Sequence, residues 1–182
     1  MIRRRRLLGV GLAAAAGLLL GGHTPYKQWV VYRRKHLLIG CHKADPRTYD
    51  LAKQTEALLA EHLPAAQARV ARAPDAGRLA SLLSTGQMDV AVLGAADAVA
   101  MAKGIGAFAP YGQTALRVLI PLDDRILIAQ AGFPSRYAWL LTGALAGTAL
   151  TTAAPDVAVD HGVPWHPGSV DFLQGRPEPG DD

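Results

Sequence analysis

The sequence predicts an α/β fold: a single doubly wound, mostly parallel sheet lobe, preceded by a hydrophobic helix. Three observations predict it. Beyond residue 36, short apolar runs alternate with segments whose apolar residues recur every three or four positions. That βαβαβα order argues for a parallel sheet with right-handed crossovers. Residues 88–93 (MDVAVL) are apolar almost throughout, as in a central strand covered on both faces. Half of the 182 residues are apolar and 19% are charged, a globular composition. A body of roughly 140 residues is large enough to bury a core.

The chain opens with a segment of another kind. Residues 7–22 (LLGVGLAAAAGLLLGG) carry no charge and follow four consecutive arginines, Arg3 to Arg6. Sixteen helical residues rise about 24 Å, a little short of a ~30 Å hydrocarbon core. This suits a signal-peptide apolar region or a short anchor. The arginines before Leu7 and Leu8 loosely match a twin-arginine signal, and they fit a Sec signal as well. Residues 23–35 read as a juxtamembrane stretch. Tyr26, Trp29 and Tyr32 are aromatics of the kind found at membrane interfaces, and Arg33, Arg34 and Lys35 end the apolar run. Those charges also argue against reading residues 38–41 (LIGC) as a lipoprotein box.

The body follows, over residues 36–173. Residues 36–40 form a first strand. Asp45 and Pro46 start a helix as cap and first residue, with Leu51, Thr55, Leu58, Leu59 and Leu63 on one face and Pro64 as its stop. Residues 68–73 are a short alternating strand. Leu79, Leu82 and Leu83 mark a second helix closed by Gly86. The strand 88–93 and a helix over 95–103, stopped by Gly104, come next. Residues 116–122 and 126–130 are two more strands around the charged corner Asp123, Asp124 and Arg125. Residues 137–147 form a late helix with Tyr137, Leu140, Leu141 and Leu145 spaced to bury. Pro, Asp and Gly then dominate, and residues 174–182 read as a disordered tail.

Charge and cysteine usage exclude several functions. The net charge of +4 comes from Arg3 to Arg6, because the rest of the chain carries fifteen basic and fifteen acidic side chains. A basic tip on a neutral body is a targeting signature and gives no nucleic-acid surface. The lone Cys41 permits no intrachain disulfide and no multi-cysteine metal site. Cys41 and His42 are adjacent, no orienting acid is evident, and cysteine catalysis is not expected. His161 and His166 alone are too few for zinc. No catalytic residues, metal or cofactor are expected, and the chain does not read as an enzyme.

In an open parallel sheet, ligands bind beyond the carboxyl ends of the strands, near helix N-termini that favour anions. The loops after the first three strands occupy that edge. They supply a candidate ligand-binding set: His42, Lys43, Thr48, Tyr49, Arg78 and Asp97. Asp45, Asp75 and Asp97 also read as helix caps or first-turn acids.

Four features lead further. Thr48 and Tyr49 precede a helix after the first strand. LASLLSTGQMDVAV (79–92) forms a helix–Gly–x–x–Asp–strand block. Asp97 and then Lys103 to Phe108 follow that block. VPWHPG (163–168) ends in His-Pro-Gly. With these the chain resembles the TAXI family of TRAP-transporter solute-binding proteins from about Leu37 to Gly168. The resemblance implies one lobe of a type II periplasmic binding protein. It also implies a small organic anion as ligand and a TRAP-type permease or another membrane protein as partner. The expected place is the periplasm, with the N-terminal helix holding the chain to the inner membrane. The chain departs from the family by lacking a segment for a second lobe, and Cys41 to Asp45 replace most of its glycine-rich first loop. Two functions are therefore expected: an exported solute-binding-like protein, or a non-enzymatic interaction module on a degenerate binding scaffold.

Overall fold

The computed structural model describes residues 36–151 and 155–180. The apolar run at 7–22 and the aromatic stretch that follows lie outside the described residues. The chain divides between Arg34 and Lys35. In the second unit the elements are β1 (Leu38–His42), α1 (Pro46–His62), β2 (Arg69–Ala73), α2 (Ala76–Ser84), β3 (Val90–Leu93) and α3 (Ala95–Lys103). They continue as β4 (Leu116–Leu122), β5 (Arg125–Gln130), α4 (Ser135–Leu145) and α5 (Pro167–Leu173). No described helix is long and apolar enough to cross a membrane.

The strands form one five-stranded open sheet in the order β2-β1-β3-β5-β4. The expected mostly parallel sheet is corrected to a mixed one. β1 runs parallel to β2 and β3, whereas β5 runs against both of its neighbours. The cause is the short corner at residues 123–124, with Asp123 at φ 50°. It turns the chain straight back, and a tight hairpin can join only antiparallel strands.

The helices cover both faces. The step from β1 to β2 and the step back past β1 to β3 go in opposite directions. Right-handed crossovers then put α1 and α2 on opposite sides. Leu51, Ala52 and Leu59 of α1 and Ala138, Leu141 and Leu145 of α4 pack on Ile39, Cys41, Val90 and Val92. Leu79 and Leu83 of α2 and Ala98 and Met101 of α3 pack on Ala91, Leu93, Ile126 and Ile128. α2 approaches β1 closely at Gly40, where a Cβ would stand 2.7 Å from Leu79 Cδ1. In β4 a register shift between Val118 and Ile120 breaks the alternation. Leu116 and Val118 face the α2–α3 layer, and Leu119, Ile120 and Leu122 face the other. One extra residue in a strand exchanges its faces in this way.

Local chemistry sets the helix ends. Asp45 Oδ1 accepts from the Arg47 N–H (3.1 Å), and Asp75 Oδ1 accepts from the Arg78 N–H (2.7 Å). α3 starts at Gly94 with no side-chain cap. α4 begins at Ser135, two residues before its expected start, and Tyr137 is 53% exposed instead of buried. The apolar face of α4 is set by Ala138, Leu141 and Leu145, which stand three and four apart. α5 was hidden in a Pro- and Gly-rich stretch because a histidine caps it. His166 Nδ1 accepts from the Gly168 N–H (3.2 Å). Residues 174–180, expected as a tail, lie beside α4. Trp139 Nε1 donates to Arg176 O (3.2 Å) and Arg136 pairs with Glu178 (2.6 Å).

The two outer strands end the sheet differently. On β2, Arg69 and Arg72 are exposed. Along β4, the Val118 N–H donates to Pro164 O (2.9 Å) and the His166 N–H donates to Val118 O (2.8 Å). Residues 164–166 thus cover part of that edge.

Candidate functional site at the carboxyl edge of the sheet

β1 ends at His42, β2 at Ala73 and β3 at Leu93, all on one edge. The first ligand loop is shorter than expected, because β1 extends through Cys41 and His42 instead of stopping at Gly40. Both residues are buried. Since β5 runs the other way, its first residue, Arg125, and the 123–124 corner enter this same edge.

There they build an ion-pair network. Arg125 Nε donates to Asp45 Oδ2 (2.8 Å) and Nη1 to Asp124 Oδ2 (2.6 Å). Arg47 pairs with Asp123, and its Nε reaches Asp124 at 3.3 Å. The Arg125 and Asp45 side chains are only 24% and 21% exposed. Burial pushes the Asp45 carboxyl up. The hydrogen bond and charge of Arg125, the Arg47 N–H and the His42 charge together outweigh burial, and the carboxyl ends below its ordinary range. The side chain of Arg125 also lies near the start of α3. A Cβ on Gly94 would stand 3.8 Å from Arg125 Cδ and 3.9 Å from Asp97 Oδ2. An uncapped helix start near a guanidinium suits an anion.

The expected site residues divide. Asp97 lies in the first turn of α3, near this helix start. His42 is 3% exposed, and neither ring nitrogen has a hydrogen-bond partner among the described residues. Such a buried polar group costs about 1–3 kcal/mol until something satisfies it. Thr48 is fully buried and holds the loop closed. Its Oγ1 donates to Asp45 O (2.7 Å) and accepts from the His42 N–H (3.4 Å). Tyr49 packs on the α1 side, with the Arg72 guanidinium 4.6 Å from its ring centre. Lys43 and Arg78 are exposed, and their backbone N–H groups bind Ala73 O and Asp75 Oδ1. Sequence reasoning missed Arg125, Asp124, Asp123 and Arg47. The signal was the charged corner itself, which belongs to this edge once β5 is antiparallel.

Cys41 and His166 are committed to the fold. Burial pushes the Cys41 thiol up to about 11, against the lowering effect of Arg72, so little nucleophilic thiolate forms. His166 binds Phe133 O through Nε2 (2.8 Å) and the Gly168 N–H through Nδ1. Among the described residues no cluster of three His, Cys, Asp or Glu side chains is placed to hold a metal. An open groove of about 700 Å³ lies elsewhere, between α1 and α4, lined by Leu58, Leu63, Trp139, Leu140 and Phe172. In comparisons with known proteins, no family model and no curated protein matches the chain.

Proposed function

We propose that this chain is an exported, membrane-tethered solute-binding-like protein of the TAXI type. In this reading it corresponds to one lobe of a type II periplasmic binding protein and performs no catalysis. It takes a small organic anion at the carboxyl edge of its sheet. The observation that supports this most is the uncapped start of α3 at Gly94 with Arg125 nearby. The described body has one sheet, and pockets for small ligands usually bury 70–90% of the ligand. A TRAP-type permease or another membrane protein would therefore supply the second wall.

Thermal unfolding of the full-length chain with succinate, glutamate and 2-oxoglutarate tests the reading. A ligand at a hundredfold excess over its Kd stabilises by about 2.7 kcal/mol, and Arg125→Gln should abolish that shift. A flat response across the three compounds would refute anion binding. One observation favours a second reading, a non-enzymatic interaction module. The edge already carries its own counter-ions, Asp45 and Asp124 on Arg125. In that case the carboxylates do nothing, and crosslinking in membranes captures a protein partner.

A further inference from the structure

The open groove between α1 and α4 takes no part in the carboxyl-edge site. Leu58 and Leu63 wall it on one side, and Trp139, Leu140 and Phe172 on the other. All five are half-buried. The Trp139 ring meets Phe172 edge-on at 5.1 Å, and its Nε1 donates to Arg176 O (3.2 Å). The polar end of the indole is thus satisfied within the protein, and what remains is apolar surface. A contiguous apolar surface of this kind marks something that covers it. The point where the chain enters the described body says what. The Ala66 N–H donates to Leu63 O (3.0 Å), and the Leu37 N–H donates to Ala66 O (3.0 Å). One turn of chain therefore separates the groove wall at Leu63 from the place where residues 1–35 join. In the sequence, Arg33, Arg34 and Lys35 stand directly before that place, and residues 23–35 separate it from the apolar run 7–22. A stretch of that length spans at most about 45 Å.

We infer that this groove is a membrane-docking surface: bilayer acyl chains cover Leu58, Leu63, Trp139, Leu140 and Phe172, and anionic headgroups meet the basic residues before His36. This rests on the membrane-tethered part of the reading above and is independent of the anion site. With the apolar run embedded in lipid, the groove is left for the bilayer itself. The short connection holds the groove at high effective concentration over the membrane, so a contact too weak to bind a free domain is enough. Aromatic and aliphatic walls suit the boundary between headgroups and acyl chains. Lysine and arginine next to that boundary gain attraction from anionic lipid.

The test uses the full-length chain in vesicles of phosphatidylethanolamine and phosphatidylglycerol, with and without bromine in the acyl chains. Trp29→Phe/Trp165→Phe leaves Trp139 as the sole tryptophan. Its emission should be largely lost in brominated vesicles. Trp29→Phe/Trp139→Phe leaves Trp165, which packs in the opposite layer and should keep its emission. Adding Leu140→Glu, which sets a charge in the groove, should restore the Trp139 emission while the chain still floats with the vesicles. Should circular dichroism show either tryptophan background misfolded, hydrogen exchange of the otherwise unaltered chain on the same vesicles replaces it. Residues 58–63 and 139–149 should then exchange more slowly than in Leu140→Glu, and equal rates would overturn the inference. A floating chain whose Trp139 ignores bromine would overturn the docking and leave the tether standing. If that Trp139 is also shielded from acrylamide, protein fills the groove instead of lipid. Quenching that persists in Leu140→Glu would overturn it too, since the contact would then lie outside the groove. A chain that fails to float would overturn the tether and this inference together.

Discussion

His166 shows how a single side chain can look functional and serve the fold. It is 1% exposed, and burial holds its imidazole below the ordinary histidine range, with the Phe133 carbonyl opposing and Arg117 adding to the effect. The unfolded chain takes up a proton as pH falls through about 6.5, while the folded chain resists it. Stability is therefore present above that pH and is lost as pH falls below it. The Tm of His166→Asn, which keeps a cap, should decline less than wild type between pH 7.5 and pH 5.5. An unchanged slope would assign the effect to another group. Asp45 follows the same sign for a carboxylate: its pairing stabilises the fold above about pH 4 and is lost on further acidification. Cys41 should stay unlabelled by a thiol reagent at pH 8 in the native protein and react on unfolding. Rapid native labelling would contradict its burial.

Among the elements, α5 depends on one close approach. A Cβ at Gly168 would overlap the Ser135 carbonyl oxygen. Thr142 Oγ1 also donates to Ser169 Oγ (2.7 Å) and joins α4 to α5. Gly168→Ala should cost about 1–3 kcal/mol in denaturant unfolding, and a neutral outcome would mean α5 can slide. Leu141→Ala removes a buried contact of α4 and should cost about 2–5 kcal/mol. Here the sequence was legible where local chemistry decides. Asp45-Pro46 started α1, and Gly104 stopped α3 at the expected residue. It was illegible where neighbours decide. The start of α4 and the exposure of Tyr137 depend on which face meets the sheet. The face exchange in β4 depends on one unpaired residue that leaves no mark in an apolar run.

At the scale of the molecule, the α/β layering followed from alternating periodicities, but strand direction did not. The direction of β5 rests on a two-residue turn, which adds Arg125 and the 123–124 corner to the candidate edge. The expected residues came from the three parallel loops, whereas Arg125 reaches the same edge from a returning strand. The Arg125–Asp45 and Arg47–Asp123 pairs tie that turn to the start of α1 across more than seventy residues of chain. Hydrogen exchange should protect the 123–124 turn and residues 43–47 together, and Arg125→Gln should release both. Independent behaviour of the two segments would show that the pairs do not couple them.

The treatment of the two outer strands has a further consequence. A sheet with a bare rim can recruit extended chain from another molecule and grow into a filament. Here arginines occupy one rim, and three residues of the protein's own backbone occupy part of the other. Replacing Arg69 and Arg72 by valine removes the Arg72 contact with Tyr49 and should promote amyloid-like polymerisation, read by thioflavin fluorescence. An unchanged thioflavin signal would show that the guanidinium groups on β2 do not protect this rim.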